Sequence, residues 1–413
     1  MSRKKRRRNF KGPWITDSLG VDRGDHLTLQ LGPPGETGET TAEFENIPVA
    51  VAGGIPGEEV EVEITRRYPD SLAATVVSVS NPDSARIEPE CPYYLECSGC
   101  QWQHLRYESQ LKLKEDRIRD AMTQYPETAD ATVLPAIASP QAFGYRNHAR
   151  FTVRKDGEIG FVNRHTRQWL RIDRCILMAE PINEALEVMQ GHIRGVSQMS
   201  VRAGVNTGDL LIQPKLPNPA LPLESGGKYY TERLLDRTFR VAGSSFFQVN
   251  SPQAEALATL LIERLGLSGT ETIVDAYAGV GTFAALLAPS AGRVIAIEES
   301  ASAVSDAAMN TVGLDNVEFI EAKTEEALPE IGDDVDILIL DPPRRGCHPD
   351  AIAAAIKLAP QKIVMVSCDP HTMARDLASL CSNSSFILEE LQPVDMFPQT
   401  HHVECIALLT RSG

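Results

Sequence analysis

The chain has 413 residues and a formal net charge of −16, with 42% hydrophobic and 23% charged residues. This composition excludes collagen-like, coiled-coil and wholly disordered proteins, and the length predicts two or three domains. No apolar run is long enough to cross a bilayer, and the first residues, MSRKKRRRNF, lack the apolar core of a secretory signal. We therefore expect a cytoplasmic protein with no membrane partner.

The charge is unevenly distributed. Residues 1–11 contain seven basic side chains and no acidic one, so the rest of the chain has a formal charge of −23. A body this acidic repels polyanions on average, so any contact with nucleic acid must use local positive surfaces. The basic tail fits a solubilising leader as well as it fits a phosphate tether. Further basic residues that could contact RNA are Arg146, Arg150, Arg154, Arg164 and Arg167.

Residues 20–80 are predicted to form a small all-β unit. Short segments rich in Val, Thr and Ile are separated by turns that contain Gly and Pro, and residues 60–64 (VEVEI) alternate between apolar and charged side chains. A five-stranded barrel or a small sandwich fits this pattern, and OB-like barrels often bind oligonucleotides. The fold alone does not establish binding.

A group of cysteines follows the β unit. Cys91, Cys97 and Cys100 lie within ten residues, whereas the other five cysteines are spread along the chain. Such clustering indicates a metal or iron–sulfur site, for which Cys175 is the best candidate as a fourth ligand. Spacing alone does not distinguish zinc from iron and sulfide. A charged helix is then predicted over residues 105–124.

From about residue 250 the pattern is that of an α/β domain. A predicted helix is followed by apolar strands that alternate with helices, as in VDILIL (335–340) and KIVMVS (362–367). This alternation indicates a Rossmann-like, mostly parallel sheet with helices on both faces. The last two strands have no helix between them, so we predict a closing antiparallel hairpin.

The segment DAYAGVGTF (275–283) follows a predicted strand and opens a helix. Gly279 and Gly281 allow a tight turn and the close approach of a ligand to the backbone. Glu298 ends the next strand, where its carboxylate can accept hydrogen bonds from both ribose hydroxyls of an adenosyl cofactor. A dinucleotide site has similar spacing, but the third glycine that would support it is absent. We therefore predict a nucleoside-binding site.

Further polar residues lie at predicted strand ends or just before the first helix of this domain. Asp341 can bond the edge of a planar base, and Cys368 lies near a helix N-terminus, which lowers the pKa of a thiol. Glu404 interrupts an apolar strand, where a carboxylate is paired, outward-facing or a general base. Phe246 and Gln248 suit stacking on a base and bonding to its edge. The simpler alternative for Cys368, Phe246 and Phe247 is core packing.

Taken together, these motifs resemble the RNA uracil-5-methyltransferase family, which includes the 5-methyluridine synthases of ribosomal and transfer RNA. The resemblance covers nearly the whole chain: residues 20–80 look like a TRAM domain, and CPYYLECSGCQWQHL (91–105) looks like the iron–sulfur segment of the family. It implies that Cys368 is the nucleophile and Glu404 the general base. It also implies cofactor contacts from Gln248, Tyr277, Gly279, Gly281, Thr282, Glu298 and Asp341, base contacts from Phe246, Gln248 and Asp341, and a [4Fe–4S] cluster on Cys91, Cys97, Cys100 and Cys175.

One residue departs from the family pattern. Asp369 follows the cysteine that the resemblance makes the nucleophile, where the family usually has Asn. We expect the extra carboxylate to raise the pKa of the thiol and to affect the rate more than the reaction.

The resemblance also implies an organisation and a function. The expected parts are a basic disordered tail (1–14), a TRAM domain (15–80), a central iron–sulfur domain (81–103 and 130–242) and a methyltransferase domain (104–129 and 243–413). The expected activity of this monomer is transfer of a methyl group from S-adenosyl-L-methionine to carbon 5 of a uridine in large-subunit ribosomal RNA. The alternatives are the T-loop uridine of transfer RNA, a non-catalytic RNA-binding protein on a methyltransferase scaffold, and a zinc-binding oxidoreductase that uses a dinucleotide.

Overall fold

The computed structural model describes residues 16, 19–163, 166–332, 334–382 and 384–412. The basic tail and Arg164 therefore lie outside the described residues. The described residues form two compact units: the first comprises those up to 109 together with those within 161–170 and 399–401, and the second comprises the other described residues. No helix in the described ranges is long and apolar enough to cross a membrane.

The first unit contains a five-stranded sheet, as predicted. Its strands are β1 (His26–Gln30), β2 (Thr40–Phe44), β3 (Ile47–Ala52), β4 (Glu59–Arg67) and β5 (Leu72–Val79). Their order is β1-β4-β5-β3-β2, with antiparallel neighbours except for the parallel pair of β3 and β5. The alternation in β4 places Val60, Val62 and Ile64 in the core, whereas Glu61 and Glu63 are more exposed.

The second unit includes helix α1 (Tyr107–Met122), whose first residues belong to the first unit. Ile118 and Met122 of this helix pack into the same apolar cluster as strand residues of the C-terminal sheet. Lys114 of the same helix is fully buried, and its Nζ donates hydrogen bonds to Asp395 and to the carbonyl oxygen of Phe397. Burying an ammonium group is unfavourable unless it is paired, so this pair fixes α1 against residues 395–397.

The middle of the chain mixes strands with one helix. Its elements are β6 (His148–Val153), β7 (Ile159–Val162), β8 (Trp169–Arg171), α2 (Glu180–Met189), β9 (Gln198–Ala203), β10 (Leu210–Gln213), β11 (Tyr229–Leu234) and β12 (Arg237–Ala242). Strand β9 lies between β10 and β6 and is antiparallel to both, and β11 pairs with β12. Strands β6 and β7 form an antiparallel hairpin around residues 155–158.

The C-terminal region forms a seven-stranded sheet with helices between its parallel strands. Its elements are α3 (Ser251–Leu265), β13 (Thr272–Ala276), α4 (Thr282–Leu287), β14 (Arg293–Glu298), α5 (Ala301–Asn310), β15 (Val317–Glu321), α6 (Thr324–Ala327), β16 (Ile337–Leu340), α7 (Pro349–Leu358), β17 (Lys362–Ser367), α8 (Pro370–Cys381), β18 (Phe386–Val394) and β19 (Glu404–Arg411).

The order of this sheet is β15-β14-β13-β16-β17-β19-β18, and β13 to β17 are parallel while β19 is antiparallel to both of its neighbours. The predicted Rossmann-like sheet and its closing hairpin are therefore confirmed. From the central strand β13, the chain first adds β14 and β15 on one side of the sheet. It then returns and adds β16 and β17 on the other side of β13. Ligands of such sheets bind at this switch point, outside the carboxyl ends of the strands.

Candidate active site

The functional residues predicted from the C-terminal motifs lie at one edge of the sheet. Tyr277, Asp341 and Cys368 directly follow β13, β16 and β17, and Glu298 is the last residue of β14. Parallel strands share their carboxyl edge, so the fold brings these residues to the same side of the sheet. Glu404 begins the antiparallel strand β19 at that edge.

The loop after β13 is shaped by residues with positive φ. Tyr277, Gly279 and Gly281 have φ angles of 67°, 56° and 78°. A Cβ at position 281 would lie 3.2 Å from the Cβ of Ala307 and 3.2 Å from the ring of Phe319, so both backbone conformation and packing require glycine there. Thr282 then begins α4.

Glu298 holds this loop against the end of β14. Its Oε2 accepts a hydrogen bond of 2.9 Å from the backbone N of Gly279, and its Oε1 accepts one of 2.8 Å from the backbone N of Ser300. A carboxylate has about four acceptor positions, so acceptor capacity remains for the two hydroxyls of a ribose. The structure thus fits the adenosyl site that the sequence predicts.

Two carboxyl groups, those of buried Asp275 and half-buried Asp341, lie at the centre of this edge. Burial, together with the charges of Asp341 and Glu298, raises the pKa of Asp275 to about 8, and burial raises that of Asp341 to about 7. Asp275 accepts a hydrogen bond from the backbone N of Ala284, and its Oδ1 has no partner among the described residues. Such acidic groups in a desolvated crevice favour a cationic ligand such as a sulfonium. No role for Asp275 is predicted from the sequence, although a carboxylate in the apolar strand TIVDA is a usable signal.

Cys368 directly follows β17, and Glu404 begins the neighbouring strand β19. The register of β17 with β19 pairs Ser367 with Cys405, and its continuation places Cys368 opposite Glu404. Burial and the negative charge of Glu404 raise the pKa of the Cys368 thiol to about 11, while the charge and a hydrogen bond of Arg344 oppose this increase. Burial, with a further contribution from Asp341, raises the pKa of Glu404 well above its ordinary value.

The expectation of a lowered pKa for the Cys368 thiol is therefore wrong. Burial and the charges of Glu404 and Asp341 raise this pKa, and the effect of a helix dipole is modest in general. Arg344 is the group that favours the thiolate, and no role for it is predicted from the sequence. Asp369 is the N-cap of α8, where its carboxylate accepts hydrogen bonds from the backbone N of His371 and of Thr372.

The two phenylalanines before α3 have different environments. Phe247 is buried and packs against Phe239, with 5.9 Å between ring centroids, so the core-packing alternative holds for it. Phe246 is 69% exposed and is therefore accessible for stacking on a base. Gln248 is half-buried, and its carbonyl oxygen accepts a hydrogen bond from the side chain of Asn147.

A cleft of about 740 Å³ opens among residues that follow strands of the C-terminal sheet and residues of α7 and α8. Residues that follow β14, β15 and β16 line it, including Glu299, Lys323 and Cys347. Its volume is in the range of small-molecule sites, but none of the candidate residues Tyr277, Glu298, Asp341 and Cys368 lines it.

The cysteine segment lacks a described metal site. None of Cys91, Cys97, Cys100 and Cys175 is in a disulfide, and thiols are suitable ligands for iron or zinc. Burial and the charge of Cys91 raise the pKa of Cys97, which shows that these two lie close together. Within the described ranges, however, no three His, Cys, Asp or Glu side chains are close enough to hold a metal ion. The geometry therefore does not reproduce the predicted four-cysteine cluster.

Two family models match the chain. The model of the tRNA (uracil-5-)-methyltransferase family matches residues 230–412, which include the candidate site, and the TRAM domain model matches residues 22–77 in the first unit.

Full-length relatives agree with these matches. An uncharacterised RNA methyltransferase of Thermosynechococcus vestitus is 33% identical, over 94% of this chain and 99% of the relative. One from Bacillus cereus is 30% identical over 95% of this chain and 98% of the relative. Among solved structures, tRNA (uracil-54, C5)-methyltransferase of Pyrococcus abyssi with S-adenosyl-L-homocysteine has a TM-score of 0.74 and 27% identity, over 92% of this chain and 99% of that one.

Proposed function

Because this chain belongs to the RNA uracil-5-methyltransferase family and is an S-adenosylmethionine-dependent enzyme, we propose that it methylates carbon 5 of a uridine in RNA through a covalent bond to Cys368. The supporting observation is the arrangement of Cys368 opposite Glu404, with Arg344 at the thiol. A nucleophile, a base and a positive charge that favours the thiolate match the chemical needs of this reaction.

Carbon 5 of uracil is a poor nucleophile, which explains why a thiol is needed. Attack of the Cys368 thiolate on carbon 6 forms a sulfur–carbon bond and an enolate that is nucleophilic at carbon 5. S-adenosylmethionine, when bound, supplies the methyl group from its sulfonium. Glu404 then removes the proton from carbon 5, the 5,6 double bond re-forms, and Cys368 leaves as a thiolate.

The remaining site residues have proposed positioning roles. Glu298 accepts hydrogen bonds from the ribose of the cofactor, and the loop formed by Tyr277, Gly279, Gly281 and Thr282 approaches it closely. Phe246 stacks on a base of the RNA, while Gln248 and Asp341 hydrogen-bond to the target uracil or the cofactor. In this proposal, residues 15–80 and the central region contact RNA, and residues 104–129 and 243–413 perform methyl transfer.

Two classes of RNA are candidates for the substrate. The motif resemblance favours large-subunit ribosomal RNA. The similarity over 92% of this chain to a Pyrococcus abyssi enzyme named for uridine 54 of transfer RNA favours transfer RNA as the second candidate. Mapping 5-methyluridine in both RNA classes from a deletion strain decides between them, because the modification disappears only from the true substrate.

The covalent mechanism predicts that Glu404→Gln accumulates a protein–RNA adduct through Cys368. Without the base the carbon 5 proton stays, so the thiolate cannot be expelled. The adduct is measured as a slowly migrating band in denaturing gels after incubation with RNA and S-adenosylmethionine. Adding Cys368→Ala to the variant should remove the band, and Cys381→Ala, at the end of α8, is the matched control. Normal turnover by Glu404→Gln would contradict the role given to Glu404.

The cysteine segment supports a separate proposal from its spacing: Cys91, Cys97, Cys100 and Cys175 bind a [4Fe–4S] cluster. Methyl transfer involves no oxidation or reduction, so no step of the proposed reaction depends on the cluster. Protein purified without oxygen is expected to be brown, with iron and sulfide that are lost in Cys97→Ser and kept in Cys381→Ser. Stoichiometric zinc without iron would instead favour a zinc site.

A further inference from the structure

A second cleft, of about 730 Å³, opens on strands β6, β9 and β10 of the second unit. Its described lining includes His148, Arg150, Arg202 and Lys215, and contains neither Asp nor Glu. In a chain with a net charge of −16, a cleft lined by three cations and no described carboxylate is a local reversal of charge. It shares no lining residue with the cleft that Glu299, Lys323 and Cys347 line.

The strand register places the polar side chains of this cleft on one face. His148 lies opposite Arg202, and Arg150 lies opposite Ser200. Directly opposed residues of antiparallel strands share a face, and residues two apart along a strand share it too. Ala149 and Val201 point to the other face, which is buried. The cleft therefore has a floor that regular sheet structure holds in place.

Arg202 is unusual among the residues that line this cleft because its side chain is charged and buried. It is only 7% exposed, although it belongs to the polar face of the sheet, and its guanidinium lies 5.9 Å from the ring centroid of Tyr230. Its Nε has no hydrogen-bond partner among the described residues. A buried cation with unused donor capacity is costly unless an anion compensates it.

The pKa of His148 reflects the positive charges around it. Burial, together with the charges of Arg202, Arg146 and Arg150, lowers the pKa of His148 to about 3. The imidazole is therefore neutral near pH 7, and one of its nitrogens, Nε2, lies 3.1 Å from Oγ of Ser200. The positive charges of three guanidinium groups are thus felt at His148, while His148 and Ser200 provide neutral hydrogen-bonding groups.

We propose that Arg202, Lys215, Ser200 and His148 bind a phosphodiester group of the RNA backbone. The inference depends on the proposed function in that it takes the polyanion to be the RNA substrate. Arginine donors suit phosphate oxygens, and a backbone contact fixes the register of an RNA without identifying its sequence. The cleft thus positions the RNA, while recognition of the target uracil belongs to the crevice at Cys368.

The test is the affinity of the full chain for a fluorescent decauridylate, measured by anisotropy over a range of salt concentrations. Arg202→Gln should weaken binding about tenfold at low salt and Lys215→Gln about threefold, because charge-assisted bonds to a phosphate are lost. Each variant should make the slope of log affinity against log salt shallower by about one. Lys357→Gln, on α7 outside the cleft, is the matched control and should leave both quantities unchanged.

Lys215 is exposed, so Lys215→Gln remains decisive if Arg202→Gln unfolds. Unchanged affinity and salt slope in Lys215→Gln would overturn the proposal. A second result would also overturn it: calorimetry shows that the wild type binds inorganic phosphate and that Lys215→Gln does not, while both bind decauridylate equally well. The cleft would then bind the free ion and not the RNA backbone. A wild-type chain that methylates RNA while the variants bind normally would refute this site alone. A chain that methylates no RNA while the variants bind more weakly would refute the proposed function alone.

Discussion

Cys368 is influenced by opposing charges. Burial and the carboxylate of Glu404 favour the neutral thiol, whereas Arg344 favours the thiolate. With a thiol pKa of about 11, little thiolate exists near pH 7. A sulfonium bound beside Asp341 would offset the negative charge in the crevice and make the thiolate easier to form. Arg344 and the cofactor would then activate the nucleophile together.

This balance makes the rate sensitive to pH and to Arg344. We expect Arg344→Gln to slow methyl transfer at least about tenfold near neutral pH and to displace the rising limb of the pH profile to higher pH, because a charge that favours the thiolate is lost. Arg344→Lys should restore part of the rate.

The measurement is kcat/KM from about pH 6.5 to about pH 9, which reports on groups of the free enzyme. In the wild type the value should increase throughout this range, since the pKa of the thiol lies above it. Arg345→Gln, at the next position of the same loop, is the control. A wild-type profile that is flat across this range would contradict the raised pKa of Cys368.

At the scale of elements, the regular parts of the C-terminal sheet could be predicted from the sequence and the electrostatics could not. Continuous apolar runs such as ILIL in β16 identify buried parallel strands, and strand ends then locate Glu298 and Cys368. The raised pKa of Cys368 depends on burial and on Glu404, which is distant in sequence. Likewise, the sequence alone does not predict which of the two adjacent phenylalanines is exposed. In the structure Phe246 is exposed and Phe247 is buried.

The loop between β13 and α4 provides a test at this scale. Gly281→Ala is expected to lower stability by about 1–3 kcal/mol and to weaken S-adenosylmethionine binding, because the residue needs a positive φ and its Cβ would press on Ala307 and Phe319. Gly279→Ala is the matched control, since it also has a positive φ but no atom lies within 4 Å of an added Cβ.

Thermal unfolding and calorimetric titration with S-adenosylmethionine measure the two effects. The loss of stability should be larger for Gly281→Ala than for Gly279→Ala, because only the former adds a steric contact to the backbone strain. Equal losses of stability in both variants would show that the positive φ angle alone, and not steric contact of the added Cβ, explains why glycine is required at position 281.

At the scale of the whole molecule, the distribution of charge has to reconcile an acidic protein with an RNA substrate. The chain outside residues 1–11 has a formal charge of −23, and acidic groups at the active site suit a cationic cofactor rather than a polyanion. The proposed phosphate cleft supplies positive charge on the second unit. The basic tail supplies seven more positive charges at the N-terminus, so the two sources are separable by mutation.

Deletion of residues 2–11 removes these seven charges. If several of them neutralise phosphates, RNA affinity should fall, and the slope of log affinity against log salt should become shallower by about one for each phosphate that the tail neutralises. The value of kcat at saturating RNA should change little, because the residues proposed for methyl transfer remain. A chain in which Gln replaces all seven basic residues keeps the length of the tail and should match the deletion. An unchanged salt slope in both variants would show that the tail is a passive leader and that the folded units bind RNA without it.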